Sequence, residues 1–279
     1  MAWARRVARF AFHGGAGGNS SNPRASTAEH VRVHRENDAS GEESFQKMGV
    51  PEYTSLMTIV PLGDQAVLVY LADEAAALRF AAAVRTMNPA WLQDVVPAYA
   101  SVGVYFDADA IPSHDVMATL ATLRCDEASP QPSPGALHTI PVCYEMNLDL
   151  ERVANHRGLT PEGVIAAHLS VEYTVFAIGF VPGFPYLGYL PASLAGVPRL
   201  ESPRLRVEPG SVGVAGKQTG LYPLPRPGGW NILGRTPFTV VDVADGFFPI
   251  RVGDRVRFER IDEATYRKME GERLPGLPR

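Results

Sequence analysis

The sequence predicts an α+β protein in which a small mixed domain precedes a compact β-barrel. Three observations carry this. Apolar periodicity between Tyr53 and Glu127 runs strand, strand, helix, strand, strand, helix. The aperiodic stretch from Ala128 to Gly135, with prolines at 130, 132 and 134, then breaks the chain. From Glu172 onward short β segments alternate with Gly and Pro, the pattern of a small barrel. The expected organisation is a disordered extension over 1–52, an α+β domain over 53–127, a linker over 128–136, a barrel domain over 137–262 and a tail over 263–279.

In the small domain, Leu56 to Val60 and Ala66 to Leu71 read as strands joined by a Gly63-Asp64 turn. Asp73 is placed to cap a helix over Glu74 to Met87, with Leu78, Ala81, Ala82 and Arg85 at helical spacing and Asn88-Pro89 as its stop. Val95-Val96 and Val102 to Phe106 supply two more strands. Ser113 is expected to cap a second helix with Val116, Met117, Leu120 and Leu123 inward. Such an order packs helices on one face of a mainly antiparallel sheet.

In the second domain a strand over His138 to Cys143 leads into two helices. The first spans Asp149 to His156 and closes at Gly158. The second spans Pro161 to Leu169, with Thr160 as its cap, Pro161 in its first turn and Glu162 at the positive end of its dipole. Strands are then expected at Tyr173 to Ile178, Ser211 to Val214, Asn231 to Leu233, Phe238 to Val243 and Arg255 to Arg260.

Composition narrows the function classes. The chain has 279 residues and a formal net charge of −4, with no broad excess of Lys and Arg to neutralise phosphate, so a nucleic-acid partner is not expected. No apolar run reaches the roughly 20 residues that span a bilayer, and no membrane association is expected. The two cysteines, Cys125 and Cys143, form no Cys-x-x-Cys and read as free thiols of a cytoplasmic protein. Arg5, Arg6, Arg9 and Arg24 all precede the first acidic residue, Glu29. The extension they start reads as translation upstream of the true initiator, Met48 or Met57.

Self-sufficient catalytic motifs are missing. Gly210 to Gln218 has the flavour of a phosphate loop but fails on spacing and on identity, since Gln218 stands where the magnesium-binding Ser or Thr belongs. Pro209 replaces the first glycine of a nucleophile elbow around Ser211, and the seven histidines lack metal-ligand spacing, so no metal is expected. What remains is a set of Gly/Pro/aromatic segments: Gly179 to Tyr189, Ala215 to Pro223, and Pro227 to Trp230. Their aromatics either plug a barrel end or face a ligand or partner. His168, at a helix C-terminus, reads as a satisfied structural histidine or as an imidazolium favoured by the dipole. Arg235 suits a carboxylate clamp or a brace on backbone carbonyls. Lys217 and Gln218 are oxyanion donors or solvated turn tips, and Asp64 is a turn residue.

The segments 179–188, 209–223 and 227–237, together with Gly63 to Ala66, Val96 to Tyr99 and Ile140 to Tyr144, resemble one family over about Tyr53 to Asp262. Its members are variously called allophanate hydrolase subunit 1, sporulation-kinase inhibitors, carboxyltransferase C/D-like proteins and 5-oxoprolinase B subunits. The resemblance implies a small, ferredoxin-like α/β domain followed by a cyclophilin-like β-barrel. It also implies a component of an ATP-dependent 5-oxoprolinase, which opens 5-oxo-L-proline to L-glutamate, and one that is inactive alone. The implied partners are a second cyclophilin-like barrel subunit and a third, catalytic subunit, with ATP shared among them. By the same likeness His168 and Arg235 are expected to be catalytic. Phe184, Tyr186, Lys217, Gln218, Thr219 and Trp230 are expected to bind substrate or partner. The alternatives are a module that inhibits a sensor histidine kinase, and a component of an allophanate hydrolase or urea carboxylase. The stretch Tyr144 to Asp149 departs from the family's Gly-rich version.

Overall fold

The computed structural model describes residues 57–123 and 135–276. The expectations for the N-terminal extension, for Cys125 and for most of the linker lie outside those residues.

The first part of the described chain contains β1 (Met57–Pro61), β2 (Ala66–Leu71), α1 (Glu74–Met87), β3 (Leu92–Ala98), β4 (Ser101–Phe106) and α2 (Ser113–Ala121). Its four strands are antiparallel in the order β1-β2-β4-β3. Gly63, at φ 69, allows the β1–β2 turn. Asp73 caps α1 by accepting the Ala76 N–H at 2.7 Å, and Asn88, left-handed at φ 41, ends it. The buried face of α1 is Ala77, Phe80, Ala81 and Val84, which meets Val67, Val69, Val102 and Val104 of the sheet. The helix is therefore rotated from the expected face: Phe80, its bulkiest apolar side chain, sets the orientation. Ser113 is not a cap; Pro112 occupies that position and no side-chain bond closes it. β2, α1 and β3 form a split β-α-β unit around β4. A ferredoxin-like domain takes its fourth strand after the second helix, whereas here β1 enters from the N-terminal side.

The second part contains β5 (Leu137–Val142), a 3-10 turn (Tyr144–Met146), α3 (Leu150–Arg157) and α4 (Pro161–Leu169). Then follow β6 (Tyr173–Ile178), β7 (Pro185–Gly188), β8 (Arg204–Val207), β9 (Ser211–Ala215), β10 (Gln218–Leu221), β11 (Arg226–Gly228), β12 (Asn231–Arg235), β13 (Arg255–Arg260) and α5 (Glu263–Met269). Seven of these strands form one sheet in the order β12-β9-β10-β7-β6-β13-β5, while β8 and β11 pair as a separate ribbon. The two ends of the large sheet meet. Cys143, just past β5, exchanges backbone hydrogen bonds of 2.9 and 3.0 Å with Arg235 at the end of β12, which brings the sheet's edges together into a nearly closed barrel. Its interior is filled by Ile140, Val142, Val175, Leu187, Val212, Val214, Leu233 and Phe258.

Thr160 caps α4 by accepting the Gly163 N–H at 3.0 Å, and Gly158 closes α3 in the left-handed conformation. Three expectations change. β7, β10 and β11 are strands in or overlapping the Gly/Pro/aromatic segments, because cross-strand partners supply what those sequences lack, and β8 is a strand that was not expected. Phe238 to Val243 buries Val240 and Val241 but makes only isolated bridges, Thr239 to Arg273 and Asp242 to Phe247. The segment after Asp262 is more than a tail: α5 buries Tyr266, and Leu274 joins the barrel core. No described helix is long and apolar enough to cross a membrane.

Gly234 lies at the closure, where an added Cβ would stand 2.7 Å from Val142 Cγ1 and 2.8 Å from the Cys143 carbonyl oxygen. Backbone cannot step aside as a side-chain tip can. Gly234→Ala is expected to lower stability by about 1–3 kcal/mol in chemical denaturation. Gly103→Ala, whose nearest neighbour is 3.5 Å away, is expected to stay close to wild type. Equal effects of the two would contradict a strained closure.

Candidate functional site

The turn from Gly179 to Gly183 folds on itself, with the Gly179 N–H donating to the Phe184 carbonyl at 3.1 Å and the Phe184 N–H to the Val181 carbonyl at 3.1 Å. Gly183, at φ 76, cannot carry a side chain, since a Cβ would lie 2.2 Å from Val241 Cγ2. The turn delivers Phe180 and Phe184 to one aromatic cluster. Phe184 makes edge-on contacts with Tyr186 (4.9 Å between centroids), Tyr222 (5.2 Å), Trp230 (5.5 Å) and Phe180 (5.5 Å). Gly220 makes room: a Cβ there would meet Phe184 and Trp230 ring carbons at 2.8 and 2.9 Å.

Burial divides the cluster into two layers. Phe184, Tyr222 and Trp230 are buried, Tyr186 is half-buried, and Phe180 is 58% exposed. Phe184 and Trp230, expected to touch a ligand or partner, are instead the packed support. Tyr186 and Phe180 are the members that reach solvent. Burial pushes the Tyr186 and Tyr222 phenols above their ordinary range, against a smaller opposing pull from Arg199 on both. The remaining expected residues are spread out. Lys217 is an exposed turn tip between β9 and β10, Gln218 is half-buried at the start of β10, and Thr219 is buried. Arg235 stands at the closure, half-buried, with its Nε donating to the Pro209 carbonyl at 2.8 Å. The brace is thus the contact it makes.

His168 does not line a groove. It is fully buried, stacked on Phe258 at 4.7 Å, with Nδ1 2.7 Å from the Tyr144 hydroxyl and Nε2 3.0 Å from Thr219 Oγ1. Because Thr219 Oγ1 donates onward to the Gly213 carbonyl at 3.1 Å, it must accept from His168. The proton therefore sits on Nε2, and Nδ1 accepts from Tyr144. The chain Tyr144–His168–Thr219–Gly213 is neutral throughout and ties α4 to β9 and β10. Burial lowers the His168 pKa to about 3, which overrides the helix-end preference for imidazolium. An enclosed, neutral imidazole with both nitrogens engaged is a cross-link, and the catalytic expectation for it is corrected.

Three features escaped sequence reasoning. Tyr222 completes the aromatic cluster; its neighbour Pro223 makes the stretch look like a loop. Asp149, at the start of α3, accepts the Ile232 N–H at 2.7 Å on one oxygen and Arg204 Nη2 at 2.7 Å on the other. No sequence signal links positions so far apart. Third, Tyr99, left-handed at φ 54, donates its N–H to the Phe176 carbonyl at 3.3 Å and packs against Phe176 and Tyr189, whose hydroxyl donates to Glu74. The Tyr189 phenol is pushed up to about 12 by burial and by Glu74.

Neither a metal nor a nucleotide finds a ready site. Among the described residues no group of three or more His, Cys, Asp or Glu side chains is placed to hold a metal ion. Gly210 to Gln218 is strand β9 and its turn, with no helix after it. Its N–H groups are already spent: Gly210 on Tyr222, Ser211 on Glu208 and Gly216 on Val197. Residues 210–218 therefore offer a triphosphate no open N–H cradle.

The architecture is a nearly closed small barrel with an aromatic cluster on its outer face, preceded by a four-stranded antiparallel sheet with two helices. The chain belongs to the family described as carboxyltransferase domain, subdomain C and D, whose model matches residues 57–246. It is 37% identical over 198 residues to the 5-oxoprolinase B subunit of Bacillus subtilis (strain 168), covering 64% of this chain and 80% of that relative. It is 51% identical over 122 residues to the 5-oxoprolinase B subunit of Escherichia coli O157:H7, covering 43% of this chain and 56% of that relative. The solved structure of TTHA0988 superimposes with a TM-score of 0.61 at 34% identity, over 77% of this chain and 41% of that one. The chain thus spans less than two thirds of the latter two proteins.

His168 sets a pH dependence. Its folded pKa is below that of free imidazole, so as pH falls the unfolded chain takes up the proton first. The stability held by the neutral ring is complete above about pH 6.5 and drains away towards about pH 3, by up to about 1.4 kcal/mol per pH unit. His168→Gln is expected to be less stable at neutral pH and to lose this slope. Denaturation midpoints between pH 4 and 7 measure it, and an unchanged slope would contradict the enclosed neutral ring.

Proposed function

We propose that this chain is the B subunit of an ATP-dependent 5-oxoprolinase, a cytoplasmic enzyme converting 5-oxo-L-proline to L-glutamate. The observation that carries the reading is the aromatic cluster on the outer face of the barrel wall. It is a partly exposed surface, carried by a chain 37% identical to a 5-oxoprolinase B subunit. A partly exposed aromatic surface suits one wall of a shared site.

In this reading the partners are a second cyclophilin-like barrel subunit and a third, catalytic subunit. The lactam is a resonance-stabilised amide that water attacks slowly, and coupling to ATP makes its carbonyl carbon electrophilic. The nucleotide is assigned to the partners, because the strand over Ser211–Ala215 has no free N–H cradle to offer it. The contribution of this chain is to hold the ring and exclude water. Tyr186 and Phe180 supply the apolar contact, backed by Phe184 and Trp230, with Lys217 and Gln218 at the rim.

Purified chain alone is expected to release no glutamate from 5-oxoproline. Mixed with the two partner subunits it is expected to release glutamate only when ATP is added, in step with ADP. Turnover by the isolated chain, or none by the full assembly, would overturn the proposal.

A further inference from the structure

Between Gly179 and Arg235 the sequence carries six basic residues and two acidic ones, although the whole chain has a net charge of −4. Half of these basic side chains are engaged. Arg206 pairs with Glu208, Arg204 with Asp149, and Arg235 braces the Pro209 carbonyl. Arg199, Lys217 and Arg226 are exposed and form no ion pair among the described residues, and the backbone of Arg199 is held on both sides. The Pro198 carbonyl accepts from Asn231 Nδ2 at 2.9 Å, and the Leu200 N–H donates to the Gly229 carbonyl at 2.7 Å.

These two bonds flank Arg199 and attach it to the residues on either side of Trp230. A guanidinium is thereby stationed beside the aromatic cluster, and its charge is felt by the phenols of both Tyr186 and Tyr222. The charge of Arg204 also acts on the Tyr222 phenol. Arg204 lies opposite Gly228 in the β8–β11 ribbon, and its Nη1 is enclosed without an acceptor while Nη2 holds Asp149. Two arginines therefore bracket the stretch Gly228-Gly229-Trp230, the outer one without a counter-ion.

We propose that Arg199, backed by Arg204, is a carboxylate-binding subsite at the aromatic cluster, selecting a small cyclic amide that bears a carboxylate. The guanidinium fork matches a carboxylate with two parallel donors, and the flat ring lies along Tyr186. The anchored backbone lowers the ordering cost of the contact. The inference rests on reading the chain as a component of a 5-oxoprolinase and deepens it. That substrate carries its one charge on a carboxylate attached to a flat five-membered ring, so charge and ring have separate partners here.

Calorimetric titration of the full chain, without partners, tests it with 5-oxo-L-proline and with 2-pyrrolidinone, the same lactam lacking the carboxylate. Wild type is expected to bind 5-oxoproline and to bind 2-pyrrolidinone at least about tenfold more weakly. Arg199→Ala is expected to lose that preference, and Arg199→Lys to restore part of it. Because Arg199 is exposed, both variants are expected to fold, and circular dichroism checks this. Absence of 5-oxoproline binding, equal binding of both lactams, or an unaltered Arg199→Ala would overturn the subsite. Glutamate release by the assembled subunits is scored separately. An assembly that turns over while Arg199→Ala binds normally sinks the subsite alone, and an assembly that is silent sinks the enzymatic reading instead.

Discussion

Two backbone hydrogen bonds between Cys143 and Arg235 convert a seven-stranded sheet into a nearly closed barrel, and the rest of the second domain depends on that closure. An open sheet would leave two edges of unpaired N–H and C=O groups and a half-exposed apolar face. Joined edges let Val142, Val214, Leu233 and Phe258 face one another inside. They also require a glycine at position 234, because the meeting strands leave no volume for a methyl group. The neutral chain through Tyr144, His168 and Thr219 then fastens α4 to the far wall. With that frame in place, the loops around Phe180, Lys217 and Trp230 project from fixed points.

Local chemistry was legible in the sequence where it decides structure locally. The Asp73 cap and Asn88 stop of α1, the Thr160-Pro161 start of α4 and the αL glycine at 158 depend on one or two residues each, and the chain adopts them where the sequence places them. Phe80 shows the next level. Helix existence follows from periodicity, but its orientation follows from which side chain is largest, and an Ala-rich helix leaves that to the packing. β7, β8, β10 and β11 could not be read at all. They have four or fewer residues each, three of them with Gly or Pro, and become strands because a partner strand lies alongside. The helix after Asp262 was hidden for a similar reason: only Tyr266 of it is buried, so its sequence looks like solvated surface.

The aromatic cluster was legible as a set of segments, and the depth of each ring was not. Glycines at 220 and 228 mark where rings approach too closely for any side chain, and that density of Gly beside aromatics marked the segments in which the cluster forms. Which ring supports and which ring presents depends on depth, and depth is a tertiary property. Phe184 and Trp230 went inward, and Phe180 and Tyr186 outward. His168 followed the same rule. A dipole at a helix end is a modest preference, whereas removing an imidazolium from water is a large cost, and the fold placed the ring where the larger cost decides.

Asp149 has a consequence of its own. One carboxylate grips the backbone of β12 with one oxygen and the β8–β11 ribbon, through Arg204, with the other, at the foot of α3. The ribbon is thereby yoked to the barrel wall, so a displacement at either one drags its neighbour. Val207 of that ribbon packs in the aromatic cluster, so the cluster rests on elements that a single carboxylate holds together.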